Sequence, residues 1–183
     1  MMFNNKMHLD HIDISDAINK LTYAMFKDGW RPDYIVGLTR GGLTPAVMMS
    51  HRLDIPMETL KVQLRDGEPN GCETNCWMSE DAFGYVSREE QEVLKCRWDP
   101  TTRKNILILD DINDTGATLN WIKQDWESSC LPQERDAWDS VWHNNVRFAA
   151  LVDNEASDFN VDYSAIDINK AEKDVWVVFP WEK

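Results

Sequence analysis

The chain predicts an α/β fold: a central, mostly parallel sheet flanked by helices, with a small hood built from terminal segments and a long flap. Three observations predict it. Short apolar runs recur along the 183 residues, each of a length suited to a strand buried on both faces. Segments of helical periodicity separate them, and strands that alternate with helices form parallel sheets. Two runs, Tyr34–Leu38 and Asn105–Asp110, pass into loops and then into helices, the order of an α/β unit.

The elements follow in order. Ser15 is placed to cap a helix whose apolar positions are Ile18, Leu21, Met25 and Phe26, with Gly29 as its stop. After the Trp30-Arg31-Pro32 turn, Tyr34–Leu38 reads as a buried strand. Thr39–Gly42 reads as a loop and Leu43–Leu53 as a helix rich in Ala and Met. A second strand is expected near Glu58–Leu64. The stretch 65–103 differs in character. Asp66-Gly67, Pro69-Asn70-Gly71, Gly84 and Pro100 punctuate it, and only Ser87–Leu94 suggests a helix. So long a connection in a compact domain is usually functional or mobile, so it reads as a flap. Then come a strand at Asn105–Asp110, a loop at Asp111–Gly116 and a helix at Ala117–Glu127. A helical turn is expected at Trp138–His143, and strands at Val146–Val152, Val161–Ile166 and Val175–Phe179.

Size and charge narrow the function. A length of 183 residues suits one domain, 1–183, with a full core. A net charge of −13 argues against a general nucleic-acid or anionic-membrane surface, which needs clustered Lys and Arg. No apolar stretch reaches the ~18 residues of a membrane span. The N-terminal residues lack the apolar core of a signal peptide, so a cytoplasmic protein with four reduced cysteines is expected. Cys72 and Cys76 match no common zinc spacing closely.

Chemistry concentrates in Ile106–Thr118, where four apolar residues end in Asp110-Asp111 and a third carboxylate, Asp114, leads into Thr115-Gly116-Ala117-Thr118. A solvated acidic turn accounts for neither flank. Adjacent carboxylates repel unless hydroxyls or a cation such as Mg2+ sit between them. Small residues at a helix start let backbone N–H groups converge on an anion, with the two threonine hydroxyls as further donors. The run is suited to a sugar phosphate. The loop Thr39-Arg40-Gly41-Gly42 is weak evidence alone, but it also lies at a strand's carboxyl end, where ligands gather in such sheets.

Leu109–Thr118 resembles the phosphoribosyl diphosphate signature of the type I phosphoribosyltransferases. Val36–Ala46 resembles the pyrophosphate loop of their bacterial xanthine-guanine branch, and Asp174–Glu182 resembles that branch's Trp-bearing purine-site segment. The resemblance implies a Mg2+-dependent pentosyltransferase of purine salvage that joins a nucleobase to ribose 5-phosphate and releases pyrophosphate. Asp110 and Asp111 would hold the ribose hydroxyls, directly or through Mg2+, and Asp114 would accept the base proton. Asp114, Thr115, Gly116, Ala117 and Thr118 would cradle the 5′-phosphate. Thr39, Arg40, Gly41 and Gly42 would contact pyrophosphate, through a strained Thr39–Arg40 peptide. Trp176, with Val177, would line the base within a C-terminal hood segment, 153–183. A homodimer or homotetramer is likewise implied.

One position departs from that pattern. Purine-specific members generally carry a lysine after the strand that follows the signature helix, where it reads the base's 6-oxygen. Here Phe148–Val152 is followed by Asp153-Asn154. An ionised Asp153 only accepts hydrogen bonds, which suits an exocyclic amine or ring N–H, whereas Asn154 can still donate. A pyrimidine or other base therefore stands as an alternative, as does a non-catalytic diphosphate-binding regulator. In the flap, Tyr85, Ser87 and Arg88 are candidate lid contacts.

Overall fold

The computed structural model describes residues 5–65, 68–69 and 71–182. Asp66, Gly67 and Asn70, read above as turn formers, lie outside the described residues, as does the start of the N-terminal segment. The elements are β1 (Lys6–His8), α1 (His11–Lys27), β2 (Tyr34–Thr39), α2 (Leu43–Leu53), β3 (Met57–Lys61), β4 (Leu64–Arg65), β5 (Glu68–Pro69) and α3 (Cys76–Phe83). They continue with α4 (Arg88–Leu94), β6 (Ile106–Asn113), α5 (Ala117–Ser129), α6 (Arg135–Trp138), β7 (Val146–Asn154), β8 (Tyr163–Ile168) and β9 (Trp176–Val178).

The central sheet has the order β3-β2-β6-β7-β8, and its four pairings are all parallel. From β2 the chain moves outward to β3; from β6 it moves outward the other way, through β7 to β8. The direction reverses between β2 and β6, and in open α/β sheets that switch point is where a crevice opens.

Strand alternation explains why both faces are covered. Ile106 and Ile108 of β6 join Val36 and Leu38 of β2 on one face, packed with Leu119, Ile122 and Trp126 of α5 and with Met78 and Ala82 of α3. Leu107, Leu109 and Ile35 face the other way, onto Ile14, Ile18 and Leu21 of α1 and Ala46 and Met49 of α2. Three indoles of the first core end on acceptors: Trp126 Nε1 donates to Thr74 O, Trp138 Nε1 to Pro132 O and Trp142 Nε1 to Glu127 Oε1. Burial of a large ring thereby leaves no N–H unpaired at these positions. β1 and β9, the two chain ends, form a separate parallel pair, with Lys6 opposite Trp176.

Several sequence expectations shift. α1 begins earlier than Ser15. Asp10 accepts from the N–H groups of Ile12 and Asp13, while Asp13 accepts from the N–H of Asp10, a reciprocal box that satisfies more donors than a lone serine. Phe26 is exposed, because it lies 100° around the helix from Met25 on the buried stripe. β6 runs on through Asn113, so Asp111, Ile112 and Asn113 are strand rather than loop. β7 likewise extends through Asp153 and Asn154, and β8 starts two residues late, at Tyr163. The turn expected at Trp138–His143 ends as a helix at Trp138.

The stretch 65–103 is anchored along much of its length. Within it α3 is core: Met78, Ala82 and Phe83 are buried. Asn145 Nδ2 donates to Ala82 O at 2.8 Å, Arg103 Nε to Phe83 O at 3.2 Å, and Lys104 pairs with Asp81 at 2.9 Å. The Ser87 hydroxyl is committed to the α4 capping box with Glu90, and Tyr85 bridges to Trp98. The β4–β5 hairpin, directly after β3, is the part of the stretch that follows the strand beside the Thr39–Gly42 loop.

Candidate active site

The crevice follows from unequal strand lengths. β2 and β6 stay paired only as far as Gly37 and Leu109, whereas β6 and β7 stay paired to Asn113 and Asp153. Beyond Leu109 the β2 chain turns away as Thr39–Gly42, and the Thr39–Arg40 peptide is cis. The carboxylates of Asp110 and Asp111 therefore emerge beside the departing loop. A cavity of about 830 Å³ opens there, lined by Arg40, Gly41, Leu43, Thr44, Asp111, Trp181 and Glu182. A smaller one of about 230 Å³ adjoins it at Asp111 and runs along Asp110–Leu119.

Contact between the two loops is close. A Cβ placed on Gly41 would lie 2.0 Å from Asp111 Oδ2, so only glycine lets the loop backbone lie against that carboxylate. Gly116 is required for two reasons: its φ is +82°, and a Cβ there would lie 2.7 Å from the N of Phe159. Behind Gly116 the buried Asn113 donates to Asp153 Oδ1 at 2.7 Å and to Phe159 O at 2.8 Å. It also accepts from Ser157 at 3.1 Å, tying the 153–159 turn to the end of β6, just before the Asp114–Thr118 loop.

Helix starts at the crevice differ from the structural helix α1. α2 starts at Gly42 and α5 at Gly116, and neither has a side-chain cap. The Leu43 N–H donates to Arg40 O and the Ala117 N–H to the Thr115 hydroxyl, and Pro45 has no N–H. Thr44 in α2 and Thr118 and Leu119 in α5 therefore carry the N–H groups open to an anion, as helix N-termini commonly do. Thr115 and Ala117 are exposed and Thr118 half-buried, so this loop faces solvent.

Electrostatically the acid pair is under tension. Burial pushes the Asp110 carboxyl well above the ordinary carboxylate range, and the neighbouring Asp111 pushes it further. Burial raises Asp111 as well, against the N–H of Ile112, which donates to its Oδ1 at 2.9 Å. Adjacent acids that resist ionisation suit a divalent cation with substrate oxygens, the set Mg2+ prefers; the residues present fit that ion. Asp153 is also raised, chiefly by burial and then by Asp167 and Glu155, although Asn113 opposes the shift.

Asp114 brings a residue the sequence reading missed. Lys170, after β8, reaches Asp114 Oδ2 with its Nζ at 2.8 Å. Asn154 holds both sides of this pair: its Nδ2 donates to Asp114 O at 2.8 Å, and its Oδ1 accepts from the N–H of Lys170 at 3.0 Å. A cation therefore stands at this end of the crevice without being on β7. The only sequence signal was a lysine in a polar turn, Asn169–Asp174, which has the pattern of any solvated loop. Trp176 sits on β9 with an exposed ring, while the Val177 side chain is buried in the second core, leaving only its main chain for a ligand.

Comparison with known proteins agrees with this geometry. Residues 5–182 match the phosphoribosyl transferase domain family. A xanthine-guanine phosphoribosyltransferase of Cereibacter sphaeroides is 25% identical over 161 residues, 85% of this chain and 75% of that protein. The crystal structure of a purine phosphoribosyltransferase from Pyrococcus horikoshii superposes with a TM-score of 0.62 at 25% identity, covering 97% of this chain and 95% of the other. A xanthine-guanine-hypoxanthine phosphoribosyltransferase of Helicobacter pylori shares the fold, with a TM-score of 0.60 at 16% identity and coverage of 97% and 94%. A parallel sheet whose switch point carries an acid pair, two uncapped helix starts and an Arg-Gly-Gly loop, matched along nearly its whole length, places this chain in the phosphoribosyl transferase domain family.

Proposed function

We propose that the chain transfers the 5-phosphoribosyl group of phosphoribosyl diphosphate to a 6-oxopurine in nucleotide salvage, releasing pyrophosphate. The observation that carries this reading is the seating of Gly41 against Asp111, which joins a diphosphate loop to a ribose-binding acid pair. Residues 1–183 would act as one catalytic domain, in which the β4–β5 end of 65–103 lies nearest the diphosphate while α3 serves the core, and 153–183 carries the base side.

Each part of the chain then has a task. The N–H groups of Thr115–Thr118 and the hydroxyls of Thr115 and Thr118 hold the 5′-phosphate at the α5 start. The Thr39–Gly42 loop, with the Arg40 guanidinium and the N-terminus of α2, receives the pyrophosphate. Asp110 and Asp111 orient the ribose hydroxyls. Mg2+, which those two carboxylates would hold, supplies neutralisation of the leaving group's charge. As the C1′–oxygen bond to pyrophosphate breaks, a base nitrogen bonds to C1′ and its proton passes to Asp114. The surrounding carboxylates stabilise positive charge on the sugar, and most of the rate comes from placement and fixed charges.

Lys170 supports the oxo assignment. A carboxylate and an ammonium side by side present an acceptor next to a donor, complementary to a ring N–H beside a carbonyl. An amino group facing Lys170 would set donor against donor. This assigns the base edge to Asp114 and Lys170, and leaves Asp153 to hold Asn113. Trp176 would lie against the base ring. A cytoplasmic homo-oligomer fits phosphorylated substrates; among the described residues no helix is long and apolar enough to cross a membrane.

Pyrophosphate release, measured with phosphoribosyl diphosphate, Mg2+ and a panel of bases, tests the proposal. Turnover is expected with guanine, hypoxanthine or xanthine, and little with adenine or uracil. Binding of the diphosphate without turnover on any base would point to the regulator, and turnover on pyrimidines alone would overturn the purine reading. In the same assay Lys170→Met is expected to raise KM for the oxopurine about tenfold to a hundredfold, the range for losing a charged hydrogen bond.

Gly41→Ala gives a second expected result. Asp111 must swing away from the new methyl group, so KM for phosphoribosyl diphosphate rises at least about tenfold, a cost of about 1.4 kcal/mol or more. Wild-type kinetics for this variant would show that the close contact has no role in binding.

A further inference from the structure

We infer that Lys61 is a second cation of the diphosphate subsite, acting from β3 at the base of the β4–β5 hairpin; this rests on the function proposed above. Lys61 is the last residue of β3 and lies opposite Thr39 in the parallel ladder, so its backbone flanks the diphosphate loop. A cavity of about 440 Å³ opens at that point, lined by Thr39, Arg40, Lys61 and Gln63. It shares Arg40 with the larger cavity at Asp111. Its lining holds two cations and no acid, in a chain with 32 acidic residues against 19 basic ones.

The Lys61 backbone is held in place while its ammonium is left without a counter-charge. Lys61 O accepts from the N–H of Glu73 at 2.8 Å, and the Glu73 carboxylate turns to the Lys61 N–H at 3.4 Å. The Lys61 side chain passes beneath Gly71, where a Cβ would come within 3.2 Å of Nζ. Among the described residues Lys61 has no ion-pair partner within 4.0 Å. Because Arg40 lines both cavities, a diphosphate held by its guanidinium would have oxygens within reach of this opening. A compact ammonium there adds attraction without competing for the planar geometry of the guanidinium. Because β4 begins three residues later, at Leu64, a diphosphate bound to Lys61 would also bear on the hairpin's position.

Calorimetric titration of inorganic pyrophosphate with Mg2+ into wild type, Lys61→Gln and Lys61→Arg tests this without requiring turnover. Lys61→Gln is expected to weaken pyrophosphate about fivefold to tenfold. It should raise KM for phosphoribosyl diphosphate similarly while leaving KM for the base and the melting temperature unchanged. Lys61→Arg should recover most of the affinity. Gln63→Glu, which sets a negative charge in the same cavity and leaves Lys61 intact, should also weaken pyrophosphate. Wild-type affinity in Lys61→Gln would overturn the assignment of Lys61, whatever Gln63→Glu does, and leave the transferase reading standing. If wild type binds neither pyrophosphate nor phosphoribosyl diphosphate, the transferase reading itself falls, and the role of Lys61 with it.

Discussion

Asp114→Asn is expected to lower kcat about a hundredfold to a thousandfold while changing KM for phosphoribosyl diphosphate less than about threefold, the usual range for loss of a general base. The reason is local. Asp114 Oδ2 holds Lys170 at 2.8 Å, and its main-chain oxygen is held by Asn154. An asparagine keeps the size of the side chain and the loop's backbone bonds, so the Asp114–Thr118 loop stays in place. It cannot take up a proton from the incoming base. The side chains of Asp114 and Lys170 are 44% and 19% exposed, and such a partly solvated pair contributes little to folding, so the melting temperature should move only slightly. Steady-state kinetics on the variant, with direct titration of the diphosphate, separate the two effects. An unchanged kcat would remove Asp114 from proton transfer.

Asp110→Asn is expected to raise the stability of the metal-free protein at neutral pH and to abolish most turnover. Burial and the neighbouring Asp111 hold the Asp110 carboxyl far above its ordinary value. The native state therefore keeps a proton that the unfolded chain has already released. With more protons bound in the native state, stability falls as pH rises from the ordinary carboxylate range, near about 4, up through the raised native value. Asp111 contributes in the same direction. Thermal melts across this range, with EDTA and with Mg2+, should show wild type losing stability toward neutral pH and recovering it when the cation is added. The variant should show a flatter profile and a higher melting temperature. Each kcal/mol regained moves the midpoint by about 2–4 °C in a chain of this size. Identical pH profiles for wild type and variant would show that the acid pair is not under tension.

These two residues also show how much of the site is legible in the sequence. Ile106–Leu109 announces a buried strand, and Asp110, Asp111 and Asp114 announce its chemistry, because strand alternation and the carboxylates are local properties. Arg40-Gly41-Gly42 was ambiguous alone. The pairing of β2 with β6 turned it into a wall of the crevice, by pressing Gly41 onto Asp111. Ser15, ahead of an apolar periodicity, has the local chemistry of a cap, yet α1 begins at His11 with Asp10 as its cap. The Asp10–Asp13 box, one turn earlier, satisfies more donors. α3 carries no local signature within 65–103, since its eight residues mix Cys, Trp, Met and acids, and its apolar side chains find partners only in the aromatic core below it.

By itself the sequence determined the α/β class, the order of the main strands and helices, and the acid pair with its small-residue loop. All of these depend on neighbours within a few positions. Only the tertiary structure decided which cations stand beside the crevice. Lys170 is 56 residues from Asp114, and no periodicity, spacing or turn chemistry links positions so far apart. The link is made by Asn154 at the extended end of β7, which grips the Asp114 loop with its amide and the Lys170 backbone with its carbonyl. Lys61 likewise becomes meaningful only through its register opposite Thr39. Such pairings depend on where the sheet ends, and that is settled by packing across both of its faces.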